Sequence, residues 1–164
     1  MKSKNIAQSG IIIALTLIIL YSSNLLPIST LSILTLASCL IPICILRTSI
    51  KNAILVYIAC SILSFLIVPL NIALLYTLFF GIYGLIKAFI EKLNKRSLEL
   101  VIKLCSFNIL VVILYFISSS ILTTLNIKMP LFIIWIISQA AFLLYDYALT
   151  LIISYYLNKL HKRV

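Results

Sequence analysis

Long apolar tracts alternate with short polar segments along almost the whole sequence. A helix needs about 20 mostly apolar residues to cross a bilayer. Six tracts approach or exceed that length, and they cover residues 6–26, 31–46, 53–68, 71–90, 104–124 and 131–157. The second and third tracts are short, and we expect them to lie partly at the membrane interface. The pattern predicts a polytopic integral membrane protein with six transmembrane segments.

These segments are predicted to be α-helices. Lipid offers the backbone no hydrogen-bonding partner, so only helices and closed β-barrels can cross a bilayer. The tracts are too long and too uniformly apolar for barrel strands, which alternate polar and apolar residues. Pro69 and Pro130 are expected to separate neighbouring helices, whereas Pro42 lies inside the second tract and predicts a kink or a shorter helix. Short connections make successive helices antiparallel neighbours, so we expect residues 1–164 to form a single all-α transmembrane domain.

The basic residues predict the orientation of these helices. Every lysine and arginine except Lys128 lies before the first tract, between the second and third, at or between the fourth and fifth, or after the sixth. An alternating chain places all of those segments on one side of the membrane. Because cytoplasmic segments carry the excess of Lys and Arg, we expect both termini in the cytoplasm.

The same distribution explains the formal net charge of +10. In a soluble protein, a positive charge of this size would favour nucleic acid as a partner. Here the orientation in the membrane accounts for the charge, so we expect no nucleic-acid partner. The basic segments are instead expected to contact the anionic headgroups of lipids.

Asp146 is the only acidic residue in the middle of an apolar tract. A carboxylate at membrane depth is energetically expensive, so it normally faces protein or water and has a partner. Lys87 is the first candidate partner. The rise of an α-helix leaves the two residues about 9 Å apart in depth, which is within reach if the lysine side chain extends toward Asp146. Arg47 is the second candidate. The sequence therefore predicts a buried ion pair between Lys87 and Asp146, with a proton or cation relay as the alternative.

Polar side chains also occur near the opposite, extracellular ends of the predicted helices. Four of them are candidate substrate-binding residues: Asn24, Asn71, Trp135 and Gln139. A pocket built from such groups would hydrogen-bond and stack its ligand and would not pair strong charges. The composition therefore favours a small, uncharged or weakly charged, partly apolar ligand.

The sequence contains few groups that could support catalysis. It has no P-loop for ATP, and its sole histidine, His161, lies near the C-terminus. The four cysteines form no CxxC pair and are expected to act as small apolar residues: Cys39, Cys44, Cys60 and Cys105. We therefore expect neither enzymatic activity nor a bound metal or cofactor.

Small residues mark one face of the first predicted helix. Gly10 and Ala14 have small-xxx-small spacing, and Ala7 lies one turn earlier. Small residues one turn apart let a second helix approach closely. This face could dock a partner protein or pack within the molecule. Gly81 and Gly84 remove bulk from the fourth helix in the same way, and there we expect close packing.

On these residues the chain resembles the S components of energy-coupling-factor transporters over nearly its whole length. S components are small six-helix membrane proteins of bacteria and archaea with both termini in the cytoplasm. Their first helix carries small residues at Ala-x-x-x-Ala spacing, which correspond here to Gly10 and Ala14, with Ala7 a turn earlier. The segments 78–87 and 145–147 are also similar to those of S-component-like membrane proteins of Firmicutes.

The resemblance implies a multi-pass protein of the bacterial plasma membrane that acts as the substrate-specific binding subunit of an importer. Such a subunit captures a small vitamin-like or cofactor-precursor molecule on the extracellular side, in a pocket closed by the link around residues 24–32. Its first helix, here with Ala7, Gly10 and Ala14, docks on a transmembrane coupling subunit and, through it, on two ATPase subunits. Metal-binding members have a histidine-rich N-terminus, which this chain lacks, so nickel and cobalt are not expected. The alternative is a non-catalytic accessory or assembly subunit of another membrane protein complex.

Overall fold

The computed structural model describes residues 3–26, 30–91, 96–121 and 131–161, and these residues contain no β-strand. Six long helices account for nearly all of them: α1 (Ser3–Leu25), α2 (Thr30–Arg47), α3 (Ile50–Ile67), α4 (Leu70–Ile90), α5 (Arg96–Ile121) and α6 (Leu131–His161). Each helix is long and apolar enough, by length and composition, to cross a membrane. The predicted all-α architecture with six helices of membrane-spanning length is therefore confirmed, and it indicates a multi-pass membrane protein.

Two helices extend beyond the apolar tracts that predicted them. α5 begins at Arg96 and not at residue 104, and α6 contains 31 residues and ends at His161. Polar residues with good helix propensity continue a helix beyond its apolar part, and hydropathy does not detect that continuation. Lys103 therefore lies on α5, where the apolar pattern predicts a connection. The connection through Pro130 lies outside the described residues.

The prolines in the first half of the chain have different effects. Pro69 separates α3 from α4, as predicted, since Val68 makes the last backbone hydrogen bond of α3 with Ser64 at 3.0 Å and α4 begins at Leu70. Pro42 does not shorten α2, which continues through it to Arg47. The buried proline ring removes one hydrogen bond from the helix, and the rest of the helix is maintained on either side.

A π-helical segment, Tyr76–Gly81, interrupts the α-helical geometry of α4. Such a segment adds residues to a turn and changes the direction in which the following side chains point, and it is frequent at functional sites. Here it carries Phe79 and Phe80, both of which line a cavity described below. The segment ends at Gly81, which contacts α3.

Glycines allow α4 to approach its neighbours closely. A Cβ added at Gly84 would lie 3.2 Å from Ile41 Cβ, from Pro42 Cδ and from the backbone oxygen of Ser38, all on α2. A Cβ at Gly81 would lie 2.8 Å from the ring of Tyr57 on α3. The close packing expected at these two glycines is therefore present.

The buried side chains form two neighbouring clusters. The first joins α1, α2, α3 and α4, and its members include Leu20, Leu34, Ile41, Val56 and Tyr76. The second joins α2, α4, α5 and α6 and contains Cys39, Tyr83, Phe107, Leu110, Phe142 and Leu149. Many large apolar residues on the outer faces of the helices are exposed, as expected for surfaces that contact lipid. The second cluster supports both the cavity and the ionic network described next.

Candidate functional site

Lys87 on α4 is the centre of a buried group of charges. Its side chain is 0% exposed, and its Nζ lies 2.5 Å from Asp146 Oδ1 and 3.1 Å from Glu91 Oε1. The same Nζ donates to Thr150 Oγ1 at 2.8 Å and to the backbone oxygen of Asp146 at 3.2 Å. A buried ammonium ion is tolerated only when it is paired and hydrogen-bonded in this way.

Asp146 on α6 accepts from two further groups. Lys103 Nζ on α5 lies 3.1 Å from Asp146 Oδ2 and 3.6 Å from Glu91 Oε1. The hydroxyl of Tyr83 donates to Asp146 Oδ1 at 2.7 Å. The four charged residues, which we call the ionic network (Lys87, Glu91, Lys103 and Asp146), balance in formal charge. They join α4, α5 and α6.

The structure brings together the two residues chosen from the sequence as an ion pair, Lys87 and Asp146. Arg47, the second candidate partner, lies elsewhere. Its Nε donates to the hydroxyl of Tyr156, and its guanidinium carbon lies 5.3 Å from the centre of that ring. Arg47 therefore connects the C-terminal end of α2 to that of α6.

Sequence reasoning missed two members of the ionic network. Glu91 follows Lys87 by four residues, which is the spacing of an intrahelical ion pair, so that signal was present in the sequence. Lys103 had no such signal, because it lies just before an apolar tract and the pattern predicts a connection there. Among the described residues, no group of three or more His, Cys, Asp or Glu could hold a metal ion. Whether the network relays protons or cations stays a prediction.

A cavity of about 860 Å³ lies between α2, α4, α5 and α6. Its lining comes from the N-terminal parts of α2 and α4, from the middle of α5 and from the first half of α6. Five aromatic residues contribute to that lining, and we call it the aromatic cavity: Phe79, Phe80, Phe107, Phe142 and Tyr145. The volume is within the range of about 300–1,000 Å³ that is usual for small-molecule sites.

The polar groups of the aromatic cavity are few. Ser32, Thr35, Ser138 and Tyr145 contribute them among the described lining residues, none of which is charged. Thr35 and Ser138 donate to backbone oxygens of their own helices at 2.7 and 2.8 Å. The hydroxyl of Tyr145 donates to Ser38 Oγ at 2.9 Å. Three of these four hydroxyl groups therefore already donate a hydrogen bond within the protein.

Tyr83 connects the aromatic cavity to the ionic network. Its ring packs edge-on against Phe142, with 5.2 Å between ring centres, and lies 5.5 Å from the ring of Tyr145. Phe142 stacks in turn on Phe107 at 4.3 Å. Because the Tyr83 hydroxyl donates to Asp146, one side chain contacts both the rings that line the cavity and the carboxylate of the network.

The four predicted substrate-binding residues do not line this cavity. Asn24 is exposed and its amide donates weakly to the backbone oxygen of Ile67 at 3.4 Å, and Asn71 is exposed near the start of α4. The side chains of Trp135 and Gln139 donate to a single atom, Oδ1 of Asn108, at 3.0 and 2.8 Å. Trp135 and Gln139 therefore join α6 to α5. A role of Asn24, Asn71, Trp135 and Gln139 in substrate binding stays a prediction.

Asn108 is a third residue that sequence reasoning missed. It lies within the apolar tract of α5, and its own amide donates to the backbone oxygen of Leu104 at 2.8 Å. A strongly polar side chain inside an apolar tract commonly hydrogen-bonds to another helix, so the signal was available. The aromatic residues of the cavity gave no such signal, because rings are expected throughout an apolar tract.

The small residues of α1 lie on an open surface. Ala7, Gly10 and Ala14 are exposed, and a Cβ added at Gly10 would meet nothing within 4 Å. The buried residues of α1 lie on the opposite side of the helix and include Ile12 and Thr16. The small-residue face of α1 (Ala7, Gly10 and Ala14) is therefore not used for packing against the other described helices.

Comparisons with known proteins do not assign a family. No protein-family model, curated protein or solved structure matches this chain. Three features of the structure bear on function: the aromatic cavity, the ionic network and the small-residue face of α1.

Proposed function

We propose that this protein is the substrate-binding subunit, or S component, of an energy-coupling-factor importer in a bacterial plasma membrane. In this role it captures a small vitamin-like or cofactor-precursor molecule on the extracellular side. It delivers that molecule to a transmembrane coupling subunit, and two ATPase subunits supply the energy. The protein itself binds and does not catalyse a reaction.

The small-residue face of α1 carries this proposal. The sequence left open whether these residues pack within the molecule. In the structure, a Cβ added at Gly10 would meet nothing within 4 Å. Ala7 and Ala14 are exposed on the same side of the helix. Small residues at this spacing allow a helix of another protein to approach the backbone closely. An open face of this kind is what docking on a coupling subunit requires.

The positions of the cavity and of the charges support the proposed orientation. Leu31 and Leu75, near the N-terminal ends of α2 and α4, line the aromatic cavity. Arg47 and Lys87 belong to the last turns of the same two helices. If the basic ends lie in the cytoplasm, the cavity lies in the extracellular half of the membrane. Exposed basic residues such as Lys51 would then contact anionic lipid headgroups.

An accessory subunit of another membrane complex is the second candidate function. It would use the same small-residue face of α1 to dock on a different partner. The aromatic cavity favours the binding subunit, because an assembly factor has no need of a cavity of ligand size. The two functions predict different partners and can be separated by co-purification.

The test is co-expression of a tagged copy with an energy-coupling module, followed by purification through the tag. We expect a stable complex with the unchanged protein and loss of that complex with Gly10→Leu and with Ala14→Leu. Ala140→Leu is the matched control, because Ala140 is an exposed alanine on α6. Thermal unfolding of each purified variant verifies that it is folded.

Absence of a complex with any coupling module would contradict the proposal. Capture of a different membrane complex, again lost with Gly10→Leu and Ala14→Leu but kept with Ala140→Leu, would support the accessory subunit instead.

A further inference from the structure

The aromatic cavity offers a ligand rings and almost no hydrogen bonds. None of its described lining residues is charged, and Tyr145 already donates to Ser38. An ionised group moved from water into such surroundings would lose its hydration without gaining a partner, at a cost of several kcal/mol or more. The cavity therefore selects against carboxylates, phosphates and ammonium groups.

The rings of the cavity pack on one another, and two of them remain partly exposed. Phe79 contacts Phe107 edge-on at 5.6 Å between ring centres, and Phe80 contacts Tyr145 edge-on at 5.1 Å. Both edge-on and offset-stacked arrangements are favourable for aromatic pairs. Phe80, Phe107 and Phe142 are buried and form the inner wall. A flat apolar molecule with a ring would contact mainly Phe79 and Tyr145, the two lining rings that are partly exposed.

The outer rim of the cavity lies between α2 and α6. Leu31 and Leu36 of α2 and Leu144 of α6 line the cavity, and each is more than half exposed. On a membrane-spanning helix such exposed leucines face lipid. Apolar side chains of α2 and α6 therefore border the cavity on the side that faces lipid.

We infer that the aromatic cavity binds an uncharged, apolar molecule that carries at least one aromatic ring and enters from the bilayer between α2 and α6. This inference rests on the proposed binding function and specifies its ligand class. The site lies apart from Asn24 and Asn71 and recognises its ligand by shape and by ring contacts.

Photolabelling of the purified protein in lipid nanodiscs tests this inference. Benzophenone is an uncharged, apolar two-ring probe, and 4-benzoylbenzoate is the same probe with a carboxylate. We expect saturable labelling by benzophenone on cavity residues such as Phe79 and Leu144, located by mass spectrometry. We expect no saturable labelling there by 4-benzoylbenzoate.

Two adjacent alanines provide a matched pair of variants. Ala141 lines the cavity, whereas the neighbouring Ala140 is not among the described lining residues, and both are exposed. Ala141→Phe should raise the benzophenone concentration for half-maximal labelling by about tenfold, because it fills the space of one ring. Ala140→Phe should leave that concentration unchanged. Ala148→Phe, also in the lining, is a second filling variant if Ala141→Phe does not fold.

Labelling that never saturates, or that spreads evenly over the exposed faces of all helices, would overturn the inference. So would equal labelling by the two probes, an unchanged half-maximal concentration in both filling variants, or a co-purified phospholipid that only the filling variants lose. The assay contains no coupling module, so its failure is distinguishable from failure of the proposed transport function. A protein that binds benzophenone in the cavity but docks on no coupling module would retain the site and lose the transport assignment.

Discussion

Lys87 on α4 and Asp146 on α6 are 59 residues apart in the chain, and Lys87 Nζ lies 2.5 Å from Asp146 Oδ1. The side chain of Lys87 is 0% exposed and that of Asp146 is 18% exposed. Each charge makes the burial of the other tolerable, since an isolated charge in such surroundings would be very costly. The pair therefore links α4 to α6, and Lys103 links α5 to the same carboxylate.

Removing the carboxylate should destabilise the protein strongly. Asp146→Asn leaves Lys87 buried with Glu91 as its remaining carboxylate partner. Breaking a buried ion pair by changing one member typically costs about 3–5 kcal/mol, and we expect a loss near the lower limit. Chemical unfolding in detergent micelles, measured by far-UV circular dichroism, gives the change in the free energy of unfolding.

A double variant is the control for this experiment. Lys87→Met together with Asp146→Asn removes both charges of the pair and keeps an acceptor for the Tyr83 hydroxyl. We expect the double variant to be more stable than the sum of the two single changes predicts, because no unpaired charge remains. Additive losses would show that the two side chains do not interact energetically.

Substitution by alanine should destabilise the protein at Gly84 of α4 but not at Gly10 of α1. Gly84→Ala places a methyl group 3.2 Å from the backbone oxygen of Ser38, which cannot move without shifting α2. Overpacking of this kind costs about 1–3 kcal/mol. Gly10→Ala meets nothing within 4 Å, and its free energy of unfolding should change by less than about 1 kcal/mol. Equal melting temperatures for the two variants would contradict the packing of α4 on α2.

Asn108 should control the environment of the sole tryptophan. Trp135 and Gln139 both donate to its side-chain oxygen, and interhelical hydrogen bonds of this type contribute about 0.6 kcal/mol each. Asn108→Leu should therefore lower the free energy of unfolding by about 1 kcal/mol and change the fluorescence emission of Trp135. Asn71→Leu, at an exposed site on α4, should leave the emission unchanged. An unaltered spectrum in Asn108→Leu would show that the contact is absent in solution.

The proposed orientation predicts which helix ends are accessible from outside the cell. Ser49 precedes α3 and Asn71 follows it, so they lie at opposite ends of that helix, and both are exposed. In a Cys105→Ala background, where the other three cysteines are buried, a membrane-impermeant maleimide should label Asn71→Cys in intact cells. Ser49→Cys should react only after lysis. The reverse pattern would place both termini outside the cytoplasm.

Much of the fold followed from the apolar pattern. The number of helices could be predicted because each membrane-spanning helix needs its own apolar tract. The boundary at Pro69 could be predicted because proline cannot donate a backbone hydrogen bond within a helix. The fixed rise of a helix placed Lys87 within side-chain reach of Asp146, and the structure contains that ion pair. The start of α5 at Arg96 could not be predicted in this way, because polar residues continue the helix without any change that hydropathy detects.

The sequence by itself determined that the chain forms six apolar helices and that one carboxylate within them needed a partner. Only the tertiary structure decided which sides of those helices face each other. When a tract is apolar all round, its periodicity does not separate the side that faces protein from the side that faces lipid. Phe107 and Val112, both in the apolar tract of α5, therefore look alike in the sequence, yet the first is buried beside the cavity and the second is exposed.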